Sequence, residues 1–184
     1  MNSARLTIGL LLAACVLTQQ STLAQRAPRK DFQVALDILN SVNDYDQYGI
    51  FDDVTVNVKS GSVTLTGKVT MPHKRDEIEK RVKRVRGVEV VRNQIEVLPL
   101  SQFDEDLRVR IANTIYNNAN FWQYSTLRKP PIHIIVQGNR VTLTGIVNSD
   151  LDRKLAGSLA RQGGAAQVTN NLKTESEARQ EWEK

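Results

Sequence analysis

The chain has 184 residues, with 25 Lys and Arg against 20 Asp and Glu, a formal net charge of +5. That length suits one domain or two small ones. One cysteine, Cys15, excludes an internal disulfide framework, and two histidines with no cysteine or carboxylate at ligand spacing exclude a conventional metal site.

The first residues have the layout of an export signal. Arg5 supplies a positive start, Leu6 to Leu17 an apolar run, and Thr22-Leu23-Ala24 a small-residue cleavage site, so residues 1–24 read as a signal peptide. The apolar run is too short to span a bilayer. Leu12-Ala13-Ala14-Cys15 also has the form of a lipobox, in which Cys15 would be lipidated. Cleavage after Ala24 is preferred, because lipidation at Cys15 leaves an unusually short apolar region. Both routes export the chain to the periplasm, free or lipid-anchored at the envelope.

Helical spacing begins at Asp31, the expected N-cap, with Phe32, Ala35, Leu36, Leu39 and Val42 as the inward stripe. Residues 43–53 read as a polar loop. Val54, Val56 and Val58 alternate with polar residues, Lys59-Ser60-Gly61 turns the chain, and Val63, Leu65 and Val69 alternate again, giving an antiparallel hairpin. Gly67 interrupts that alternation, as at a bulge or a close backbone approach. Pro72 opens a helix with Ile78, Val82 and Val85 inward, and Gly87 ends it. Residues 88–97 form a third strand, and a right-handed crossover makes it parallel to a hairpin strand.

Residues 98–101 are a linker between a first domain, 31–97, and a second, 102–174. Ser101 to Asp104 has a capping pattern, followed by Leu107, Ile111 and Ile115. Strands at 132–136 and 140–147 join through Gly138-Asn139, a hairpin turn pair. Ser149 or Asp150 caps a helix with Leu151, Leu155 and Leu159 inward, Gly163-Gly164 ends it, and a last strand lies near 167–173. Residues 175–184 are a charged tail. The fold class is therefore α+β, two tandem α-β-β-α-β domains, each a three-stranded mixed sheet with two helices on one face.

The division rests on an internal repeat. Val63-Thr64-Leu65-Thr66-Gly67 recurs letter for letter as Val141-Thr142-Leu143-Thr144-Gly145, 78 residues on. From Gly87 and Gly164 onward the offset is 77, which places one lost residue in the turn between Val69 and Lys74. The pattern V-x-L-x-G-x-V, then a helix, then G-V-x-x-V-x-N-x-I/L-x-V, resembles the BON domain. Copy one carries it with Gly67, Gly87, Val91, Asn93 and Ile95, and copy two with Gly145, Gly164, Val168, Asn170 and Leu172. The resemblance covers about residues 31 to 174. It implies a non-enzymatic envelope protein that binds phospholipid or supports membrane integrity under stress, with no cofactor, and it names no binding residue in this chain.

The residues agree on the absence of catalysis. No glycine-rich phosphate loop, nucleophile elbow or convergent set of reactive groups is present, and Asn93 and Asn170 read as servants of the strand backbone. Two surfaces suit an anionic phospholipid partner. One is the helix end carrying Lys80, Arg81, Lys83 and Arg84, which equally suits a solvated face complementing the helix dipole. The other is Phe121, Trp122 and Tyr124 with Arg128 and Lys129, in residues 116–131, longer than the matching 43–53 of copy one. Those rings suit a bilayer interface or, alternatively, a small core or the seam between copies. Export and the lack of interleaved aromatics on the basic helix argue against nucleic acid. The alternative function is an adaptor whose sheet face or strand edge receives an envelope protein.

Overall fold

The structure, a computed structural model, describes residues 30–182. The expected signal peptide and Cys15 lie outside the described residues. Domain 1 runs α1 (Asp31–Asn43), β1 (Asp53–Lys59), β2 (Ser62–Val69), α2 (Pro72–Lys83), β3 (Val90–Asn93) and β4 (Glu96–Val97). Domain 2 runs α3 (Gln102–Tyr116), a 3-10 turn at Ala119–Phe121, α4 (Trp122–Ser125), β5 (Ile132–Gln137), β6 (Arg140–Val147), α5 (Asp150–Gln162), β7 (Gln167–Asn170), β8 (Lys173–Thr174) and α6 (Glu175–Trp182). The charged tail is thus helical over Glu175–Trp182, and Glu177 there pairs with Arg153 at 2.8 Å.

Both domains pair as the crossover rule requires. β1 and β2 are antiparallel, and β3 and β4 run parallel to β2, with Val63 opposite Val91 and Val69 opposite Val97. β5 to β8 repeat this order. The third strand is broken in each copy by one asparagine. Asn93 Oδ1 accepts from Ile95 N at 3.1 Å, while its Nδ2 donates to Arg75 O at 3.2 Å and Glu79 Oε2 at 3.0 Å. Asn170 likewise accepts from Leu172 N at 3.3 Å and donates to Arg153 O at 2.7 Å. A side chain that replaces a ladder bond and reaches the helix backbone locks strand to helix.

That pairing relocates the lost residue. Arg75 and Arg153 are equivalent at an offset of 78, whereas Asn93 and Asn170 are equivalent at 77. The copies therefore stay in step through α2 and α5 and differ after them, not before. The same register corrects the inward face of α5. Leu151 is 72% exposed, and the buried positions are Ala156, Gly157, Leu159 and Ala160. Small residues let α5 approach the sheet closely: a Cβ on Gly157 would stand 2.8 Å from the Asn170 side chain.

The stripe of α1 is also rotated from its expected place. Val34, Ala35, Ile38 and Val42 are buried, and Phe32 and Leu36 are exposed. Asp31 does not cap its own helix; its carboxylate accepts from Ser60 N at 3.0 Å and so fixes the hairpin turn. In domain 2 Asp104 does the equivalent, accepting from Gly138 N and Asn139 N at 2.8 and 3.0 Å. Ser101 and Ser149 cap α3 and α5.

The domains are joined by the segment before β1, expected to be a polar loop. Ile50 and Phe51 pack against the core of domain 2, and Ile50 O accepts from Ile134 N of β5 at 2.7 Å. His133 Nδ1 donates to Asp52 O at 2.5 Å, and Lys129 Nζ donates to Tyr45 O and Tyr48 O at 2.9 and 2.8 Å. Asp52 itself is fully buried. Its carboxylate accepts from Gly49 N, Thr70 N, Thr70 Oγ1 and Lys74 Nζ at 2.7–3.0 Å.

Gly67 and Gly145 hold φ of +114° and +113°, a region L side chains rarely adopt. A Cβ there would lie 2.2 Å from Asp53 O or 1.8 Å from Pro131 O, so the repeated glycine permits a close backbone approach, without a bulge. Gly67→Val and Gly145→Val should each lower stability by about 1–3 kcal/mol, read from thermal melts; melts matching wild type for both would contradict this. Asp52→Ala strips four donors of their shared acceptor and should cost about 3–5 kcal/mol in denaturant unfolding. An unchanged midpoint would show that the carboxylate is not a structural keystone.

Candidate functional site

The longer connection in domain 2 is built around two inward rings and one outward ring. Asn118 Oδ1 accepts from Asn120 N at 3.0 Å and starts the 3-10 turn, which leads directly into α4. Phe121 is fully buried in the core, 5.6 Å between centroids from Tyr124. Tyr124 is buried too; its hydroxyl donates to Asp152 Oδ2 and accepts from Asn148 N, both at 2.8 Å. Burial, the largest cause, raises the Tyr124 phenol above its ordinary pKa. Positions 121 and 124 share one helical face, so the ring between them points the other way. Trp122 is 66% exposed.

The aromatic surface expected from three rings therefore reduces to one. Phe121 and Tyr124 serve as its anchors, having been drawn into a core too small to leave them out. Two aliphatic side chains near these anchors in sequence are exposed as well. Leu127 follows α4, and Leu151 is adjacent to Asp152, the residue Tyr124 holds. Arg128 extends into solvent with its side chain 81% exposed, and its 3.4 Å pair with Asp46 is an exposed one, weakly held. Lys129 is partly buried, and its ammonium is occupied by the two carbonyls of the seam.

The cationic helix end of domain 1 divides in the same manner. Arg81 lies 3.4 Å from Glu77 and stacks 4.9 Å over the Tyr45 ring, which ties it to the fold. Lys83 pairs with Glu79, one turn back. That hydrogen bond, then the one from Asn93, holds the Glu79 carboxyl below its usual pKa. Lys80 and Arg84 are exposed and make no ion pair among the described residues. The two cationic sites lie on different domains and meet at one loop: Arg81 stacks on the Tyr45 ring, Lys129 donates to Tyr45 O, and Arg128 pairs with Asp46.

Titratable groups elsewhere are used for packing. His73 Nε2 meets Gln47 Oε1 at 2.7 Å, and His133 lies in the seam with its ring 5.5 Å from that of Tyr48. Among the described residues no group of three His, Cys, Asp or Glu is placed to hold a metal ion. Burial raises the phenols of Tyr48 and Tyr116 well above their ordinary value, so both stay neutral hydrogen-bonding groups. No helix of the described residues is long and apolar enough to cross a membrane.

Comparison with solved structures gives a structural protein of the type III secretion system of Chlamydia trachomatis, CdsD, at 13% identity and a TM-score of 0.29, over 82% of this chain and 97% of that one. The C-terminal domain of CdsD gives 15% identity and a TM-score of 0.26, over 74% and 96%. Both superpose too loosely to transfer a function. No curated protein matches the chain. The BON domain profile matches twice, over residues 30–99 and 104–176, the two units with their asparagine-broken third strands. The chain belongs to the BON domain family.

Proposed function

We propose that this is an exported, non-enzymatic protein that lies on the surface of an anionic phospholipid membrane and supports envelope integrity under stress. Membership of the BON domain family suggests an envelope or membrane-associated role. The observation that carries the finer reading is Trp122, held outward by two buried neighbours. The Phe121 and Tyr124 anchors on either side specify its outward pose and leave one large amphipathic ring available to a partner surface.

The surrounding chemistry fits a bilayer interface. An indole places its ring body among acyl chains and its N–H at the headgroups, with Leu127 and Leu151 adding apolar area. Arg128 meets anionic headgroups, each such cation contributing about 1 kcal/mol near the surface. Domain 2 makes the contact. Domain 1, through the seam, fixes the orientation of the loop, and Lys80 and Arg84 add longer-range attraction.

Ring insertion and charge attraction separate by salt, which screens the second and barely touches the first. Trp122→Ala should reduce co-sedimentation with anionic vesicles at every ionic strength, whereas Arg128→Ala should matter chiefly at low salt. Equal binding of wild type and Trp122→Ala throughout would remove the aromatic contact from the account. Export has its own check: mass spectrometry of the native envelope protein should find Gln25 at the amino terminus. A diacylated or triacylated Cys15 there would replace peripheral binding by an anchor.

A further inference from the structure

The connection between α1 and β1 is held from both domains. On the domain 1 side Arg81 of α2 stacks 4.9 Å over the Tyr45 ring. Gln47 Oε1 accepts from Tyr45 Oη at 2.9 Å and meets His73 Nε2, also of α2, at 2.7 Å. On the domain 2 side Lys129 Nζ donates to Tyr45 O and Tyr48 O, and Arg128 reaches Asp46 at 3.4 Å. Tyr45 and Asp46 are consecutive, so arginines of two domains are brought to neighbouring residues of one loop.

These arginines have donors left to give. The Nε of Arg81 is buried, stands 3.4 Å from Glu77 and has no hydrogen-bond partner. Stacking on a ring occupies the face of a guanidinium and leaves its in-plane N–H groups for a second partner. Arg84 follows Arg81 at i+3, on the same flank of α2, exposed and without an ion pair among the described residues. Arg128 is paired with Asp46, and the two side chains are 81% and 87% exposed. A pair so open to water is weakly held, and its carboxylate is readily exchanged for another oxyanion.

Acids face the same place. Asp44, Asp46 and Glu77 stand against Arg81, Arg84, Arg128 and Lys129, and three acids against four bases leave a single net positive charge. The loop is therefore no general attractor of anions, and selection falls to geometry. Lys129 is occupied by its two carbonyls, so the bases left around the loop are arginines. Their planar forks match the oxygens of a phosphate.

We propose that Arg81, Arg84 and Arg128 form a two-domain site for the phosphate group of an anionic lipid headgroup. The Asp46 carboxylate is the internal stand-in that the phosphate displaces. The site rests on the membrane reading above and adds two things to it. Domain 1 touches the headgroups directly, and Asp46 sets how much of the Arg128 charge they meet. Asp46 restrains binding, so removing it acts with the opposite sign to removing an arginine.

The test uses the full mature chain and co-sedimentation at low salt with vesicles of phosphatidylglycerol, against phosphatidylcholine as the neutral control. Asp46→Asn should raise binding by about threefold. Arg84→Gln and Arg128→Gln should each lower it by a similar factor, within the roughly fivefold that one cation contributes near such a surface. In the Arg128→Gln background Asp46→Asn should gain nothing, because both changes act on one pair. All three positions are exposed, so the melts should match wild type. Unchanged or weaker binding by Asp46→Asn, or a gain that persists without Arg128, would overturn the proposal. Either result leaves the membrane reading standing where Trp122→Ala still weakens binding. Titration with inorganic phosphate, followed through the side-chain N–H signals of Arg81 and Arg128, separates the two sources of phosphate. Shifts of those signals in a chain that ignores vesicles would overturn the headgroup assignment and give the site to free phosphate. Silence in both arms would overturn the site itself.

Discussion

The structure depends on one buried carboxylate, that of Asp52. Its oxygens collect the amide that turns the preceding loop, the amide and hydroxyl of Thr70, and the ammonium of Lys74. Its own carbonyl receives His133 of the other domain. One residue therefore fixes the start of β1, the start of α2 and the approach of domain 2. Burying a charge is costly unless every lone pair is used, and here the four donors supply that condition. With Asp52 fixed, Ile50 and Phe51 have one direction to go, into the neighbouring core.

Domain 2 solves the equivalent problem with opposite chemistry. Asn148 and Asp152 stand where Thr70 and Lys74 stand in domain 1, and the Tyr124 hydroxyl takes the place of the Asp52 carboxylate. A neutral donor now meets an acid where an acid had met a base. Reaching that place from α4 requires the longer connection, and its cost is an extra turn with one ring facing out. The insertion that singles out domain 2 is thus an anchoring device whose by-product, Trp122, is available to a surface.

Much of this was legible in the amino-acid sequence. The duplicated Val-Thr-Leu-Thr-Gly pentapeptide, the hairpin turns and the crossover place every strand, because period-two alternation and turn chemistry act locally. Gly67 and Gly145 could be read as sites of close approach, and Asn93 and Asn170 as backbone partners. The helix faces were less legible. On α1 both Phe32-Leu36-Leu39 and Val34-Ile38-Val42 recur at helical spacing, and only packing against β1 and α2 selects the second. Leu151 looked inward for a related reason: α5 lies close to its sheet through alanine and glycine, a preference that hydrophobicity alone does not carry. The seam went unseen because acids and Gly49 gave residues 43–53 the look of a solvated loop. Tyr45, Tyr48, Ile50 and Phe51 within that stretch were the available signal.

The aromatic segment shows the same limit at the candidate site. Three rings within four residues read as one surface, yet a short helix divides them between core and solvent. What sequence adjacency cannot give is the side on which each ring falls. The account of function rests on that division, and indole emission reads it directly. In a Trp182→Phe background, Trp122 should report a solvated environment in the free protein and shift to the blue on adding anionic vesicles. A buried-indole spectrum before lipid, with no shift after it, would contradict both the outward pose of Trp122 and the membrane contact built on it.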